Sequence, residues 1–288
     1  MSWRTVVVSN NAKLDYQLGF LVVRGEKTVK IYLKEIELLI VESTAVSLTS
    51  YLLCELVKHK IKVIFCDEKR NPSSELLPYY GSHDTSVKIR KQTEWLADTK
   101  TAVWTEIVTE KIQKQADLLQ YFGKKEAELL HDYLHNIQYG DVTNREGHAA
   151  KVYFNALFGK DFTRTEECPV NAALNYGYSI LLSTFNREIV SNGYITQIGL
   201  FHDNMFNPFN FASDLMEPFR PIVDKKVMEL KPEKFETEEK HSLLELVKQE
   251  IHIGGRKEFL SNGIKIYVKS VLDALNEKDV SLIKFYEL

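Results

Sequence analysis

The chain is 288 residues long, with 44% apolar and 27% charged residues, so it can bury a substantial core without relying on disulfides, and general disorder is excluded. Its formal net charge of -3 excludes a uniformly basic surface, yet seven glutamates against four lysines between residues 229 and 250 account for the whole deficit. Basic clusters elsewhere, such as Lys88, Arg90 and Lys91, can therefore follow a phosphate backbone, although a solvated helix face is the commoner explanation.

The first part of the chain, from Trp3 to Cys66, is typical of β structure. Short runs rich in Val, Ile and Tyr alternate with turn residues such as Asn10 and Gly25. The pattern predicts strands at residues 4–9, 20–24, 28–33, 38–41 and 62–65. Apolar residues recur at helical spacing in residues 47–59, which we expect to form a helix. We therefore predict an amino-terminal β domain at residues 1–75.

The composition then changes, because residues 67–86 carry prolines, serines and a glycine in linker proportions. We place a linker at residues 76–86. Beyond it the apolar period is helical, and several of the runs end just before a glycine, the preferred helix stop. Helices are predicted at residues 87–122, 124–139, 143–158, 170–192, 213–230, 237–251 and 264–276. The expected fold class is α+β, with a small amino-terminal β-sheet domain followed by a larger all-α catalytic domain at residues 87–288.

The three cysteines, Cys54, Cys66 and Cys168, lack the paired spacing of a zinc module or a disulfide scaffold. We expect buried thiols in a reducing compartment. The amino terminus has too short an apolar run for a signal peptide, and no stretch approaches the length that spans a bilayer. The expected localisation is cytoplasmic, without a membrane partner.

Several common catalytic motifs are missing from the sequence. It contains no Walker loop, no Gly-x-Gly-x-x-Gly turn, no Gly-x-Ser-x-Gly elbow and no Cys-x-x-Cys pair. Nucleotide hydrolysis and serine-type hydrolysis are therefore disfavoured.

Glu146, in the first turn of the predicted helix at residues 143–158, has two competing interpretations. Thr143 and Glu146 have the spacing of a capping box, which is a purely structural role. Against it, Gly147 in the first turn costs about 1 kcal/mol relative to alanine, and Ala149 and Ala150 are also small. Small residues around a glutamate indicate close approach of another backbone or a ligand.

A second acidic group lies in residues 198–224. If Ser213 caps a helix, then Asp214, Glu217 and Asp224 lie on one face of it. Asp214, Glu217 and Glu146 brought near His202 would repel one another, which raises at least one carboxylate pKa and favours a protonated imidazole, and a bound cation relieves both effects. Pro218 and Pro221 are unfavourable inside a helix, so the helix boundary at Glu217 remains an alternative.

His202 lies among four phenylalanines, where a histidine is more often a hydrogen-bonded core residue than a ligand. The nearby acids favour the ligand role, because one imidazole with two carboxylates suits Mn²⁺ or Mg²⁺ and is poor for structural zinc. His131 and His135 form a competing pair at i, i+4 spacing. The glutamate of a zincin motif is absent there, so a solvated helix face is favoured.

Taken together, these residues resemble the CRISPR-associated integrase family, the catalytic subunit of the spacer-acquisition complex, particularly in its type II form. The resemblance covers nearly the whole chain. It rests on His202 and on the motifs at residues 3–8 (WRTVVV), 63–67 (VIFCD), 144–150 (NREGHAA), 175–178 (NYGY) and 213–221 (SDLMEPFRP).

The resemblance implies a dimerising β domain and a helical catalytic domain that binds Mg²⁺ or Mn²⁺. The implied catalytic and metal-binding residues are Glu146, His202 and Glu217. Many relatives carry aspartate at the position of Glu217, which leaves open whether Asp214 binds metal in its place. Implied DNA-binding residues are Arg145, Lys151 and Arg220.

The implied reaction is attack of a prespacer 3′-hydroxyl on a phosphodiester at a repeat boundary. The implied partners are double-stranded DNA, a second copy of this chain and a small dimeric partner subunit. Two alternatives stay open from the sequence: a metal-dependent DNA endonuclease that uses the same site with water, and a non-catalytic DNA scaffold.

Overall fold

The computed structural model describes residues 4–79 and 81–287, so the predicted motif residue Trp3 lies outside the described residues. The chain divides into two structural units, Met1–Gly81 and Ser82–Leu288. Each unit is described below by itself.

The first unit is built from strands and one helix. Every predicted strand is present, which confirms the β character of this region. Three strands that the apolar pattern missed, β2, β6 and β8, are short or carry polar residues on an exposed face. The elements are β1 (Arg4–Val8), β2 (Ala12–Gln17), β3 (Phe20–Arg24), β4 (Thr28–Tyr32), β5 (Ile36–Val41), β6 (Val46–Leu48), α1 (Ser50–Lys58), β7 (Lys62–Cys66) and β8 (Pro72–Glu75).

These strands form two four-stranded sheets. One has the order β1-β5-β7-β8, with β1, β5 and β7 parallel and β8 antiparallel to β7. The other has the order β4-β3-β2-β6, in which β2, β3 and β4 form an antiparallel meander. Their buried side chains, with Leu52 and Leu56 of α1, form one apolar core.

The second unit is mainly helical and carries the acids and the histidine of interest. The fold class is confirmed, with one departure from an all-α domain, since a small sheet of order β10-β9-β11 is also present. The elements are α2 (Thr85–Thr93), α3 (Ala97–Tyr121), α4 (Ala127–His135), α5 (Arg145–Phe158), α6 (Pro169–Ser191), α7 (Asn210–Leu215), α8 (Arg220–Leu230), α9 (Thr237–Leu244), β9 (Glu250–Ile253), β10 (Arg256–Phe259), α10 (Leu260–Glu277) and β11 (Tyr286–Glu287).

Helix α3 lies at the centre of this unit and packs against α4, α5, α8 and α10. Its buried residues, including Trp104, Ile107 and Ile112, recur every three or four positions, so one face of the helix is almost wholly enclosed. The predicted single helix at 87–122 is wrong. It breaks between Thr93 and Ala97, where the Trp95 indole donates a hydrogen bond to Asn276 Oδ1 (3.2 Å) and stacks on Tyr194.

The predicted helix at 237–251 is also wrong in its second half, because Ile251 lies in strand β9. Gly254 and Gly255 both have positive φ and connect β9 to β10 in a tight hairpin. The cysteines are free, but Cys54 is exposed and Cys168 is intermediate, so only Cys66 is the expected buried thiol. Within the described residues, no helix combines the length and apolar character needed to cross a membrane.

Candidate functional site

The start of α5 is capped without any help from Thr143 or Glu146. Asn144 is the N-cap, and its side-chain oxygen accepts a hydrogen bond from Gly147 N (3.3 Å). The Asp141 carboxylate accepts two more, from Arg145 N (2.8 Å) and Glu146 N (3.0 Å). The predicted capping box is therefore wrong, because other side chains already satisfy the helix start. The Glu146 side chain is left to make other contacts.

Gly147 has a local explanation. A Cβ at this position would lie 2.8 Å from Asn144 Oδ1, so the residue is small to admit the capping side chain. The glycine is therefore explained by the close approach of the Asn144 side chain, and it gives no information about a ligand.

The three acids of the second motif do not share one helix face. Helix α7 begins at Asn210, ahead of the expected cap Ser213, and ends at Leu215. A 3₁₀ turn, Glu217–Phe219, separates it from α8, where Pro221 occupies the first turn. The predicted stripe is therefore wrong, and the break directs each acid to a different partner.

Glu217 and Glu146 converge on the ammonium group of Lys111, which lies on the buried face of α3. Lys111 Nζ is 2.5 Å from Glu217 Oε2 and is also paired with Glu146 Oε1. Arg220 Nε donates to Glu217 Oε1 at 2.9 Å. The side chains of Lys111 and Glu217 are 7% and 5% exposed, so the two ions meet almost out of water.

The pKa of Glu217 runs opposite to the expected rise. Burial alone would raise it, but the charges of Arg220 and Lys111 outweigh burial and hold the pKa at about 2. The acid is therefore ionised and neutralised by cations of the chain itself, and repulsion between acids does not dominate here.

Asp214 holds His202 in place. The Asp214 carboxylate is fully buried and lies 2.5 Å from His202 Nδ1. It also accepts the backbone N–H groups of Leu200 (2.6 Å) and His202 (3.2 Å). Gly199 permits this wrapping, since a Cβ there would lie 2.7 Å from Asp214 Oδ2. An acceptor so fully used fixes the proton on Nδ1 and leaves Nε2 as the ring nitrogen available to a ligand.

The hydrogen bond to Asp214 raises the pKa of His202, although burial opposes it. The charges of Glu217 and Glu146 raise the pKa further. The three acids therefore all stabilise the protonated form of His202. The predicted preference for a protonated imidazole is confirmed in direction.

Asp224 is buried in a separate cluster with two tyrosines. Its carboxylate accepts hydrogen bonds from Tyr153 OH (2.7 Å) and Tyr178 OH. Burial raises the pKa of Asp224 to about 6. The two hydroxyl groups and Arg220 stabilise the ionised carboxylate and oppose this rise, but burial outweighs them. Asp224 lines the same cavity as Lys111, although its hydrogen bonds go to the two tyrosines.

A cavity of about 230 Å³ opens beside these groups. Its lining includes both acids of the Lys111 cluster together with Arg220, Tyr178 and Arg164. Sequence reasoning missed Arg164. Its guanidinium donates to Asn175 Oδ1 (2.7 Å) and to Asn171 Oδ1. Because both acceptors are neutral amides, the arginine keeps its full charge toward the cavity.

The predicted DNA-binding residues occupy different environments. The Arg145 guanidinium lies over the Tyr133 ring, 5.4 Å from its centroid. Lys151 is exposed on α5. Arg220 lines the cavity, but it is partnered by Glu217 and lies over the Tyr178 ring.

The donor chemistry suits a hard divalent cation. Two carboxylates converge on one cationic group, and Glu217 Oε2 is buried without accepting a hydrogen bond of proper geometry from any described residue, although Lys111 Nζ lies 2.5 Å away. In this conformation, however, no three His, Cys, Asp or Glu side chains among residues 4–79 and 81–287 stand close enough to hold a metal ion. The assignment of Glu146, His202 and Glu217 as ligands stays a prediction.

Lys111 was not among the predicted site residues, although it has a signal in the sequence. It lies at the position after Trp104 and Ile107 where the apolar stripe of α3 continues, so a charged residue there has to meet a buried partner. Arg164 had no such signal, because it lies in the irregular segment between α5 and α6.

Comparison with known proteins places the chain among CRISPR-associated sequences. A family model described as CRISPR associated protein Cas1 matches residues 5–262. The chain is 36% identical over 233 residues to a CRISPR-associated endonuclease Cas1 of Neisseria meningitidis serogroup C, covering 80% of this chain and 76% of that protein. It is 30% identical over 249 residues to a Pyrobaculum aerophilum protein of the same description, covering 79% and 82%.

Solved structures share the fold at low identity. A casposase bound to integration product superposes with a TM-score of 0.78 at 18% identity, covering 98% of this chain and 93% of that chain. A Cas1 protein from Thermotoga maritima gives 0.76 at 19%, covering 94% and 97%. A chain of a Cas6-RT-Cas1–Cas2 complex gives 0.73 at 19%, covering 97% of this chain and 36% of that one.

Proposed function

Because the chain belongs to the Cas1 family of CRISPR-associated proteins, we propose that it is a metal-dependent DNA integrase that inserts prespacer DNA into a CRISPR array. The observation that carries the proposal is the convergence of Glu146 and Glu217 on one cation, beside a histidine whose Nδ1 is already committed to Asp214. We also propose the type II form, on the motif resemblance alone.

Glu146, His202 and Glu217 would hold Mg²⁺ or Mn²⁺, with Asp214 as the residue that orients His202. When bound there, the cation lowers the pKa of the attacking hydroxyl and neutralises charge that develops on the phosphate. The resemblance implies aspartate at this position in many relatives, and the longer side chain of Glu217 would keep the ligand role here because Asp214 is occupied by His202 and by backbone N–H groups.

The chain's own cations position the phosphate. Arg164 and Arg220 line the cavity, and each is braced by packing against the Tyr178 ring. Planar guanidinium groups fixed in this way bind non-bridging phosphate oxygens without losing side-chain freedom at the moment of reaction. In the step itself, the prespacer 3′-hydroxyl gives up its proton as its oxygen bonds to phosphorus. The bond from that phosphorus to the 3′-oxygen of the preceding nucleotide breaks, and this oxygen takes up a proton to become the new 3′-hydroxyl.

Double-stranded DNA, a small dimeric partner subunit and a second copy of this chain are the proposed partners. For DNA and the partner subunit, support comes from two structural neighbours, one described as bound to integration product and one from a Cas6-RT-Cas1–Cas2 complex, while the second copy rests on the motif resemblance alone. We propose residues 1–75 as the dimerisation domain, residues 76–86 as a linker and residues 87–288 as the catalytic domain. Lys151, Arg145 and the cavity arginines are the proposed DNA contacts.

The second candidate is a metal-dependent endonuclease at the same site. It is favoured by the description of both relatives as endonucleases. Water would then take the place of the 3′-hydroxyl, and the same residues would bind the phosphate.

A strand-transfer assay separates these functions. A labelled prespacer duplex with free 3′-hydroxyl ends is incubated with repeat DNA, Mn²⁺ and the protein together with its partner subunit. Joined products support the integrase, shortened products alone support the endonuclease, and unchanged DNA supports a non-catalytic scaffold. A prespacer with 3′-deoxy ends is the matched control, since it removes the nucleophile and should abolish joining only.

A further inference from the structure

Lys111 occupies the point between the two carboxylates that the proposed function gives to a metal ion. Its stem runs along the buried face of α3, and its ammonium group pairs with Glu217 and Glu146 simultaneously. Burying a lysine ammonium group this deeply would destabilise the fold if the two carboxylates did not pair with it. Conversely, the buried Glu217 and the partly buried Glu146 would be costly without a cation between them.

A divalent cation and this ammonium group cannot share the position. Carboxylate oxygens approach Mg²⁺ at about 2.0–2.1 Å, closer than the 2.5 Å at which Lys111 Nζ stands from Glu217 Oε2. The two positive charges would then lie within a few ångströms of each other in a poorly solvated place. One of them has to leave, and only the lysine is on a flexible tether.

The structure offers the ammonium group a place to go. The cavity of about 230 Å³ is lined by Lys111 itself, together with Gln115, Tyr178 and Arg164. A rotation of the four-carbon side chain into this space keeps its stem packed on α3 while its charge moves toward the position proposed for the DNA phosphate.

We propose that Lys111 is a tethered counter-ion that holds Glu146 and Glu217 together when no divalent metal is bound, and that metal binding displaces it into the cavity. This inference rests on the proposed function, because it takes Glu146 and Glu217 as metal ligands. It makes Lys111 a positioning residue that sets metal affinity, and it explains why the predicted ligands are not assembled in this conformation.

The test is direct measurement of Mn²⁺ binding by isothermal titration calorimetry. Lys111→Met removes the competing charge and should bind Mn²⁺ about tenfold or more tightly than the wild type, a coupling within the usual range. Lys114→Met is the matched control, since Lys114 is also on α3, is equally buried and pairs with Glu110 instead. It should bind Mn²⁺ as the wild type does.

The wild type itself supplies a second measurement that does not depend on the variant folding. Acetylation of lysines by an amine-reactive reagent, read by peptide mass spectrometry, should increase at Lys111 when Mg²⁺ is added and stay constant at Lys114. Unchanged labelling of Lys111 at a saturating Mg²⁺ concentration contradicts displacement.

The outcomes separate this inference from the function on which it rests. Glu217→Gln is titrated in parallel to identify the heat that belongs to this site. If Glu217-dependent Mn²⁺ binding exists in the wild type but is equal or weaker in Lys111→Met, the counter-ion role is wrong and the metal site stands. If neither protein shows Glu217-dependent binding, both proposals are overturned.

Discussion

At the scale of single residues, Glu217 is the buried acid that pairs with two cations, Lys111 and Arg220. Glu217→Gln removes an anion from the enclosed Lys111 and from Arg220, whose side chain is 28% exposed. We expect the metal-free variant to be less stable than the wild type at pH 7 by about 3 kcal/mol, the scale of breaking a buried ion pair. The loss should shrink as pH falls from 4.5 toward 2, because the wild-type carboxylate with its depressed pKa is then protonated as well.

Thermal melts with and without Mn²⁺ measure both roles of this residue. Glu245→Gln is the control, because Glu245 is 61% exposed in its pair with Lys248 and should change stability little. The Glu217 variant should also lose most of the melting-temperature response to Mn²⁺. A normal response to metal would remove Glu217 from the metal site.

Asp224 gives a pH-dependent prediction of opposite sign. Burial raises its folded pKa from 3.8 to about 6, so the folded state binds the proton more tightly than the unfolded state. Its contribution to stability is therefore fully present below pH 4 and is lost as pH rises through 6. Asp224→Asn should flatten this part of the stability curve, by on the order of 1–3 kcal/mol. Urea unfolding at pH 4, 5, 6 and 7 checks it, and parallel curves for the two proteins would contradict it.

Much of the site could be anticipated from residue types, and the failures have local causes. Glu146 stood out beside small residues, whereas His202 and Glu217 stood out because a histidine and several acids occur in one short segment. The capping box at Thr143 failed because Asn144 and Asp141 compete for the same N–H groups. The ion pairs of Lys111 with these acids could not be predicted, because Lys111 is 35 residues from Glu146 along the chain.

At the scale of elements, the contact between α6 and α8 positions the arginines of the cavity. Gly177 on α6 faces Val223 on α8 so closely that an added Cβ would overlap the Val223 methyl groups. Gly177→Ala should therefore push α8 outward, cost about 1–3 kcal/mol and weaken DNA joining through displacement of Arg220. Adding Val223→Ala restores the space and should recover part of both losses. Chemical denaturation and strand transfer measure the pair, and a double variant no better than the single would contradict this packing account.

Element identity followed from helical periodicity in α3, where one face is buried, and from an apolar run in β5, which is buried on both faces. Boundaries failed where tertiary contacts override the local pattern. The Gly254-Gly255 hairpin converts the end of a predicted helix into β9, and the contacts of Trp95 break the long helix before α3. The Trp95 contacts come from residues distant in sequence, which a single sequence does not reveal, whereas the β9–β10 hairpin is local and its Gly-Gly pair is a turn signal.

At the scale of the whole molecule, the acidic total hides an uneven charge distribution. Acidic excess is confined to residues 229–250, so the remaining surface can still bind DNA. We expect the logarithm of the DNA binding constant to fall with the logarithm of salt concentration, with a slope of about -0.9 for each duplex phosphate contacted. Fluorescence anisotropy between 50 and 200 mM salt measures the slope. Lys151→Gln should reduce it by about one contact, whereas an affinity independent of salt would argue against phosphate tracking.

The most direct measurement of the central claim is strand transfer by Glu146→Gln compared with the wild type at saturating Mn²⁺. Other residues cap the start of α5, and Glu217 still meets Lys111 when Glu146 loses its charge, so the variant should lose some stability but still fold and bind DNA. The account predicts that joining falls by at least about a hundredfold, because a metal ligand is lost. A folded Glu146→Gln protein that joins prespacer to repeat at close to the wild-type rate would contradict it.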